Sequence, residues 1–268
     1  MKATKHTSDN TLKEVLSDFS AHTYYKVVLR HRKEYLRRPA LQAVYRHWAC
    51  RIRQHLSTAT GRSVELGCGC GALSYHLGLT RTDIYKHGWV DELIDACDMP
   101  YKEGECANLA AVDVLHHLPD PCRFLNEVNR VLTYGGRLVM LEPYISFFSY
   151  FLYRFIHHEP LDKNVSPFEP VGLFDKESGQ TCNQAIPTLL FVRYQKEFRR
   201  RWPQLFIARL ELSDALIYPL TGGFSHHSWL PASWVGPLMK VEDILLKKTG
   251  RFLAMRMLVV VEKKEISE

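Results

Sequence analysis

The stretch Ser63-Val64-Glu65-Leu66-Gly67-Cys68-Gly69-Cys70-Gly71-Ala72-Leu73 decides how the rest of the chain is read. A short apolar run ending in alternating glycines and passing into a helical run over residues 72–79 is a strand, a turn and a helix. Glycine lets the backbone turn tightly and lie against a ligand, and the helix N-terminus adds the positive end of its dipole. Such a turn cradles a nucleotide-bearing cofactor. The glycines alone are degenerate, because Gly67-x-Gly69-x-x-Ala72 also satisfies the relaxed dinucleotide pattern.

Acidic residues around the loop separate the possibilities. Glu65 stands two residues before the first glycine, where it can hold an amino group but would repel a pyrophosphate. Asp83 closes the next strand, where a carboxylate can accept both ribose hydroxyls, and Asp91 is the second candidate for that role. Asp95 and Ala96 open Asp95-Ala-Cys-Asp-Met-Pro100 at the end of the third strand. There an acid can accept from an adenine amino group while small and apolar neighbours pack the ring. Together they favour S-adenosylmethionine (SAM), with Glu65, Gly67, Gly69, Gly71, Asp83, Asp95 and Ala96 as cofactor-binding residues.

Outward from the loop, strands are expected near residues 82–84, 92–94 and 107–112. A helix over 121–132 has Asp120 as N-cap and Pro121 at its first position, with Phe124, Leu125, Val128, Val131 and Leu132 on one side. Gly135-Gly136 ends it, and Arg137 to Leu141 reads as a buried strand. Strands alternating with helices imply an α/β fold, a Rossmann-like doubly wound and mostly parallel sheet. From about 144 to 205 the rhythm is lost in an aromatic, proline-containing segment with a helix near 187–202, read as a lid-like insert over the ligand edge. Late strands are expected near 206–218 and 252–262. Upstream, residues 12–56 read as helices broken at Pro39, with Leu41, Val44, Tyr45, Trp48, Ile52 and Leu56 on one face. The expected organisation is a helical N-terminal arm over 1–60 and a cofactor-binding domain over 61–268.

Residues 63–143 resemble SAM-dependent methyltransferases of the type-11 group, which includes ubiquinone and menaquinone methyltransferase-like enzymes. The resemblance rests on Glu65-Leu-Gly-Cys-Gly-Cys-Gly71, Asp95-Ala-Cys-Asp-Met-Pro100, Asp113-Val-Leu-His-His-Leu-Pro119, Phe124-Leu-Asn-Glu-Val-Asn-Arg-Val-Leu132 and Gly135-Gly-Arg-Leu-Val-Met-Leu-Glu-Pro143. It implies the class I methyltransferase fold and methyl transfer from SAM. The chain departs from the pattern in a short helix after the loop, in Cys68 and Cys70 within it, and in Tyr134 where a proline is usual.

His116 and His117 follow the fourth strand, where this fold brings acceptor and methyl group together. They are the candidate bases for an acceptor that must lose a proton, His117 the better because it lies nearer the open rim. Cys122 after Pro121 is explained by helix capping without nucleophilic chemistry. No Asp/Asn-Pro-Pro-aromatic motif follows the fourth strand, which argues against adenine-N6 or glutamine-amide methylation. His157-His158-Glu159-Pro160 and Gly222-Gly-Phe-Ser-His-His227 read as structural or pocket-bordering segments, and no metal site is expected.

Seven scattered cysteines without a Cys-x-x-Cys pair argue against a disulfide framework or zinc knuckle and fit a cytoplasmic setting. Residues 1–10 lack the apolar core of a signal peptide. The net charge of +6 is uneven: residues 26–53 hold nine Lys or Arg against Glu34 alone, a formal +8 that leaves −2 elsewhere. This arm is either a solvated face or a contact for something anionic, including a membrane surface. The run from Tyr144 to Phe155 is either a packed lid helix or an apolar acceptor or membrane-facing surface. The expected function is SAM-dependent methylation of a small or lipid-like acceptor. Rivals are a catalytically silent SAM-binding fold, an RNA methyltransferase using the basic arm, for which no RNA module is present, and a nicotinamide oxidoreductase.

Overall fold

The computed structural model describes residues 6–155, 159–175 and 180–266, with side chains from residue 22 onward; His157 and His158 lie outside them. Two helices, α1 (His6–Arg37) and α2 (Pro39–His55), meet at Arg38, whose extended backbone is what a following proline demands. Strand β1 (Arg62–Leu66) leads through the glycine turn to the single-turn helix α3 (Ser74–Leu77), closed by Gly78 in the left-handed region. Strands β2 (Thr80–Asp83), β3 (Glu92–Leu93) and β4 (Cys106–Val112) follow. Helix α4 (Pro121–Val131) starts as its sequence dictates: the Asp120 carboxylate accepts from the N–H groups of Cys122 and Arg123, both at 3.0 Å. Strand β5 (Leu132–Pro143) then opens onto α5 (Phe147–Phe155).

The helix expected near 187–202 is present in three pieces. They are α6 (Ile186–Thr188), a wide π turn over Leu189–Arg193, and α7 (Gln195–Arg201). Strand β6 (Leu205–Ser213) stops five residues short of the expected end, because Asp214 takes a left-handed φ of 53° and the chain coils into α8 (Ile217–Leu220). The long helix α9 (Ala232–Leu253) was not expected at all, and it delays β7 (Arg256–Lys263) by four residues. Its apolar residues lie on two sides of the helix, and Gly236-Pro237 interrupts them, so no single 3.6-residue stripe marks it.

Among the described residues, seven strands lie in the order β3-β2-β1-β4-β5-β7-β6. Neighbours pair in parallel except β7, which runs antiparallel to both β5 and β6. Alternate residues of the central strands point to opposite, equally dry faces. Leu109, Leu138, Met140 and Val259 enter the core beneath α4 and α7, whereas Ala110, Val139, Leu141 and Leu258 enter the core beneath α2 and α9. The α/β doubly wound sheet is therefore as expected. Helix α2 is integral to it: Leu41, Val44, Trp48 and Ile52 are buried against the sheet, so the arm proper is α1.

Candidate active site

At the C-terminal end of β1 the three glycines take left-handed backbones, with φ of 58°, 48° and 73° at Gly67, Gly69 and Gly71. A side chain would strain each of them, but the surroundings differ. A Cβ on Gly67 would sit 2.8 Å from Val114 Cγ2, so β1 and the loop after β4 meet there through bare backbone. At Gly69 the nearest atoms would be 4.0 Å away, because this glycine faces a cavity. Gly71 is a correction to the sequence reading: it lies outside the cavity wall, under Trp89 and Arg32 at 3.0 and 3.1 Å from where its Cβ would be. Its smallness accommodates the arm rather than a ligand.

Helix α1 crosses this turn and is tied to it. Arg32 donates to the Cys70 carbonyl at 2.9 Å and lies over the Trp89 ring, whose indole N–H donates to the Gly69 carbonyl at 2.7 Å. The Tyr24 hydroxyl donates to Asp83 Oδ2 at 3.3 Å, and the N–H of Gly69 donates to the same oxygen at 2.9 Å. Arg38, Arg51 and Arg53 are likewise bound to Gly223, Glu211 and the His76 carbonyl. Much of the arm's positive charge is thus turned onto the protein itself.

Glu65, Asp83, Asp95 and Ala96 line the same cavity as Gly67 and Gly69. Glu65 is buried with the Ser74 hydroxyl donating to it, and burial pushes its carboxyl up to about 8. Asp83 is also buried, and burial raises it too, against the N–H donors of Tyr85 and Gly69. Asp91, the second ribose candidate, is excluded by geometry: it forms a two-pronged ion pair with Arg81 at the surface, which draws its carboxyl down to about 2. Asp95 fixes its own turn by accepting from Cys97 N at 2.8 Å.

The second half of the site follows β4. Asp113, at a left-handed φ of 57°, accepts two hydrogen bonds from the buried Arg256 of β7 at 2.8 and 2.6 Å. His116 is buried, its Nδ1 2.7 Å from Glu142 Oε2 and its Nε2 3.6 Å from Glu159 Oε2. Burial opposes charge on this ring, but Glu142 and Glu159 outweigh it and raise His116 to about 10. His117 is half-buried with Nε2 3.6 Å from Glu159 Oε1. Burial, then the charge of His116, lower its pKa, which leaves it neutral near pH 7. Sequence reading quoted Glu142 and Glu159 only as parts of motifs. The polarity of Glu142 in a buried strand end was the available signal, and Arg256 gave none beyond being a charge inside an apolar run.

His116, His117, Glu159 and Cys182 bring donor atoms within 4.8 Å of one another, as do Asp113, His116 and Glu142, spacings that can admit a metal ion. A protonated His116 already supplies a positive charge between the two glutamates.

Glu65, Asp83 and Asp95 on one side and Asp113, His117 and Glu159 on the other line one cavity of about 1250 Å³. That exceeds the roughly 300–1,000 Å³ typical of a pocket for one small ligand, so there is room for two. On the glycine side are two buried carboxylates with raised pKa, Glu65 and Asp83, whose protein partners are hydroxyls and backbone N–H groups rather than a Lys or Arg, beside a backbone approach without a Cβ. A ligand carrying an ammonium and ribose hydroxyls fits that wall, and a pyrophosphate does not.

Residues 64–140 match the family model described as a methyltransferase domain. Over that stretch the chain carries a methyltransferase domain. The match does not single out the ubiquinone- and menaquinone-like group. A search of curated proteins by sequence found no match. Among solved structures, the chain resembles a SAM-dependent methyltransferase from Thermotoga maritima described as a possible histamine N-methyltransferase. Identity is 15%, coverage 92% of this chain and 100% of that one, and the TM-score 0.52, which establishes the shared fold. A putative methyltransferase from Bacillus halodurans matches at 14% identity, with 81% and 99% covered and a TM-score of 0.46. Geranyl diphosphate C-methyltransferase from Streptomyces coelicolor matches at 15% identity, with 81% and 76% covered and a TM-score of 0.44. Glu65, Asp83, Asp95 and Ala96 all fall within the matched stretch and on the glycine side of the cavity.

Proposed function

We propose that this methyltransferase acts on a small or lipid-like acceptor, with His117 as the base where the acceptor must lose a proton. The observation that carries the reading is the make-up of the cavity beyond the glycine wall. Leu152, Tyr153, Tyr218 and Phe224 give it an apolar and aromatic surface, and His117 and Glu159 form a polar cluster within it. An apolar pocket with a few convergent polar groups suits a largely apolar acceptor with one reactive heteroatom.

Bound SAM supplies a reactive methyl group, so the protein's own task is mainly to align the acceptor and exclude water. The insert between β5 and β6 contributes to that enclosure, for Leu152, Tyr153, Glu159, Phe174 and Gln184 all face the cavity. Neutral His117 is suited to take a proton from the acceptor. Protonated His116 positions Glu159 opposite His117 and cannot itself act as a base near pH 7. Incubation with radiolabelled SAM and three extract fractions, polar metabolites, lipids and RNA, tests the proposal. Label entering a lipid or other small amphiphile is the expected outcome, and label entering only RNA would overturn it.

A further inference from the structure

We propose that the outer face formed by α5 and α9 docks the enzyme onto an anionic membrane surface. This concerns where the enzyme works and is tested without reference to turnover.

Helix α9 has two apolar stripes. One, with Val235, Met239 and Leu246, is buried against the protein. The other, Trp234, Val241, Leu245 and Phe252, recurs at four- and seven-residue spacing and lies outward, with Trp234 61% and Phe252 65% exposed. A helix that covered the core and otherwise met water would be polar at those positions. Helix α5 repeats the pattern. Its Leu152 and Tyr153 line the cavity, while Phe147, Phe151 and Phe155, one helical turn apart, are exposed. The two helices are neighbours, since Tyr153 of α5 donates to the carbonyl of Met255 just beyond α9, at 2.6 Å. Exposed apolar stripes on two neighbouring helices mark an interaction face.

Charge selects the partner. Lys240, Lys247, Lys248 and Arg251 are all exposed on α9. Its two acids are turned inward: Glu242 accepts from the N–H groups of Leu216 and Ile217, and Asp243 pairs with His47 and Arg51. Beside α5 a groove of about 440 Å³ has Phe147, Tyr150, Phe151 and Leu189 in its wall and Lys163 and Arg193 at its edge. Aromatic and aliphatic side chains bordered by lysines and arginines are the composition of a helix lying in a bilayer interface, with the cations at headgroup level. No helix among the described residues is long and apolar enough to cross a membrane, so the contact is from one side.

The test is co-sedimentation of the full chain with phosphatidylcholine vesicles, with and without phosphatidylglycerol. Three forms are compared: wild type, the α9 variant Trp234→Ser/Leu245→Ser/Phe252→Ser, and the arm variant Lys26→Glu/Lys33→Glu/Arg37→Glu. SAM affinity by calorimetry confirms that each is folded. Wild type and arm variant should bind the anionic vesicles, and the α9 variant should lose at least about tenfold in affinity. Lys247→Glu/Lys248→Glu/Arg251→Glu should lose binding on anionic vesicles selectively. Absence of wild-type binding would overturn the proposal, as would loss confined to the arm variant. So would a wild-type dimer that the α9 variant dissolves without any vesicle binding, since the face would then belong to a second copy.

Discussion

His116 Nδ1 stands 2.7 Å from Glu142 Oε2, and both side chains are sealed from solvent. The other oxygen of Glu142 accepts from the backbone N–H groups of Val114 and Leu115, each at 2.8 Å. One carboxylate at the end of β5 therefore sets the path of the loop after β4, the protonation of His116 and, through His116, the surroundings of Glu159. The acceptor half of the cavity is organised from this strand end.

That arrangement makes stability depend on pH at the alkaline side. Burial alone would lower the His116 pKa, but the two glutamates raise it to about 10, above the roughly 6.5 of an unfolded histidine. A group raised on folding contributes fully below its unfolded pKa and loses that contribution as pH climbs through the folded value. Thermal scans should show the melting temperature falling between about pH 7 and 10. The decline should be absent in His116→Leu. Glu142→Gln breaks a buried charged pair and should cost about 3–5 kcal/mol by denaturant titration.

The glycine loop separates ligand binding from folding. At Gly69 the space for a side chain is the cavity itself, so Gly69→Val should abolish SAM binding in calorimetry. A folded protein is expected, because the left-handed backbone costs only about 1–2 kcal/mol. Gly67→Val drives its side chain into Val114 and should unfold or strongly destabilise the chain instead. NADH should bind neither wild type nor variant; tight NADH binding without SAM binding would overturn the cofactor assignment at this loop.

Asp83 and Asp91 make a matched pair of tests. Asp83→Asn keeps the shape but weakens acceptance of ligand hydroxyls, so SAM affinity should drop by about tenfold or more. Asp91→Asn loses an exposed ion pair with Arg81, worth at most about 1 kcal/mol, while its amide oxygen can still accept from the Arg81 backbone N–H, and it should leave affinity unchanged.

The parts legible in the sequence are those where one local rule acts alone. Asp120-Pro121 and the apolar spacing behind it specify α4, and Gly67-x-Gly69 after an apolar run specifies the loop. Helix α9 escaped because its outward stripe is as apolar as its inward one, which hides the periodicity a half-buried helix normally shows. The site was legible on its cofactor side, where close backbone approach and acids stand near each other in sequence. It was not legible where distant segments converge. Arg256 reaches Asp113 across 143 residues, and Tyr24 reaches Asp83 across 59. No spacing rule records either contact.

Chelation tests the charge state of the histidine cluster. With a protonated His116 between Glu142 and Glu159, no metal is needed to neutralise them, so dialysis against EDTA should leave melting temperature and methyl transfer unchanged. A fall in either, restored by zinc, would assign the cluster of His116, His117, Glu159 and Cys182 to a metal instead.

The last test addresses the base. His117 faces the cavity with its Nε2 3.6 Å from Glu159, and burial followed by the neighbouring His116 charge lowers its pKa below the usual value. A base must be neutral to accept a proton, so turnover should hold level across neutral pH and fall only as pH drops through that lowered value. The acidic limb should therefore lie below about pH 6.5. His117→Ala should retain SAM affinity, because the residue lies away from the glycine wall, and should reduce turnover by about 10²- to 10⁴-fold with loss of the acidic limb. Glu159→Gln removes the negative charge that supports protonated His117, so the limb should move to still lower pH while turnover at neutral pH changes less. An acceptor already deprotonated at neutral pH would need no base. In that case His117→Ala would keep near-normal turnover with an unchanged profile, and alignment alone would account for methyl transfer.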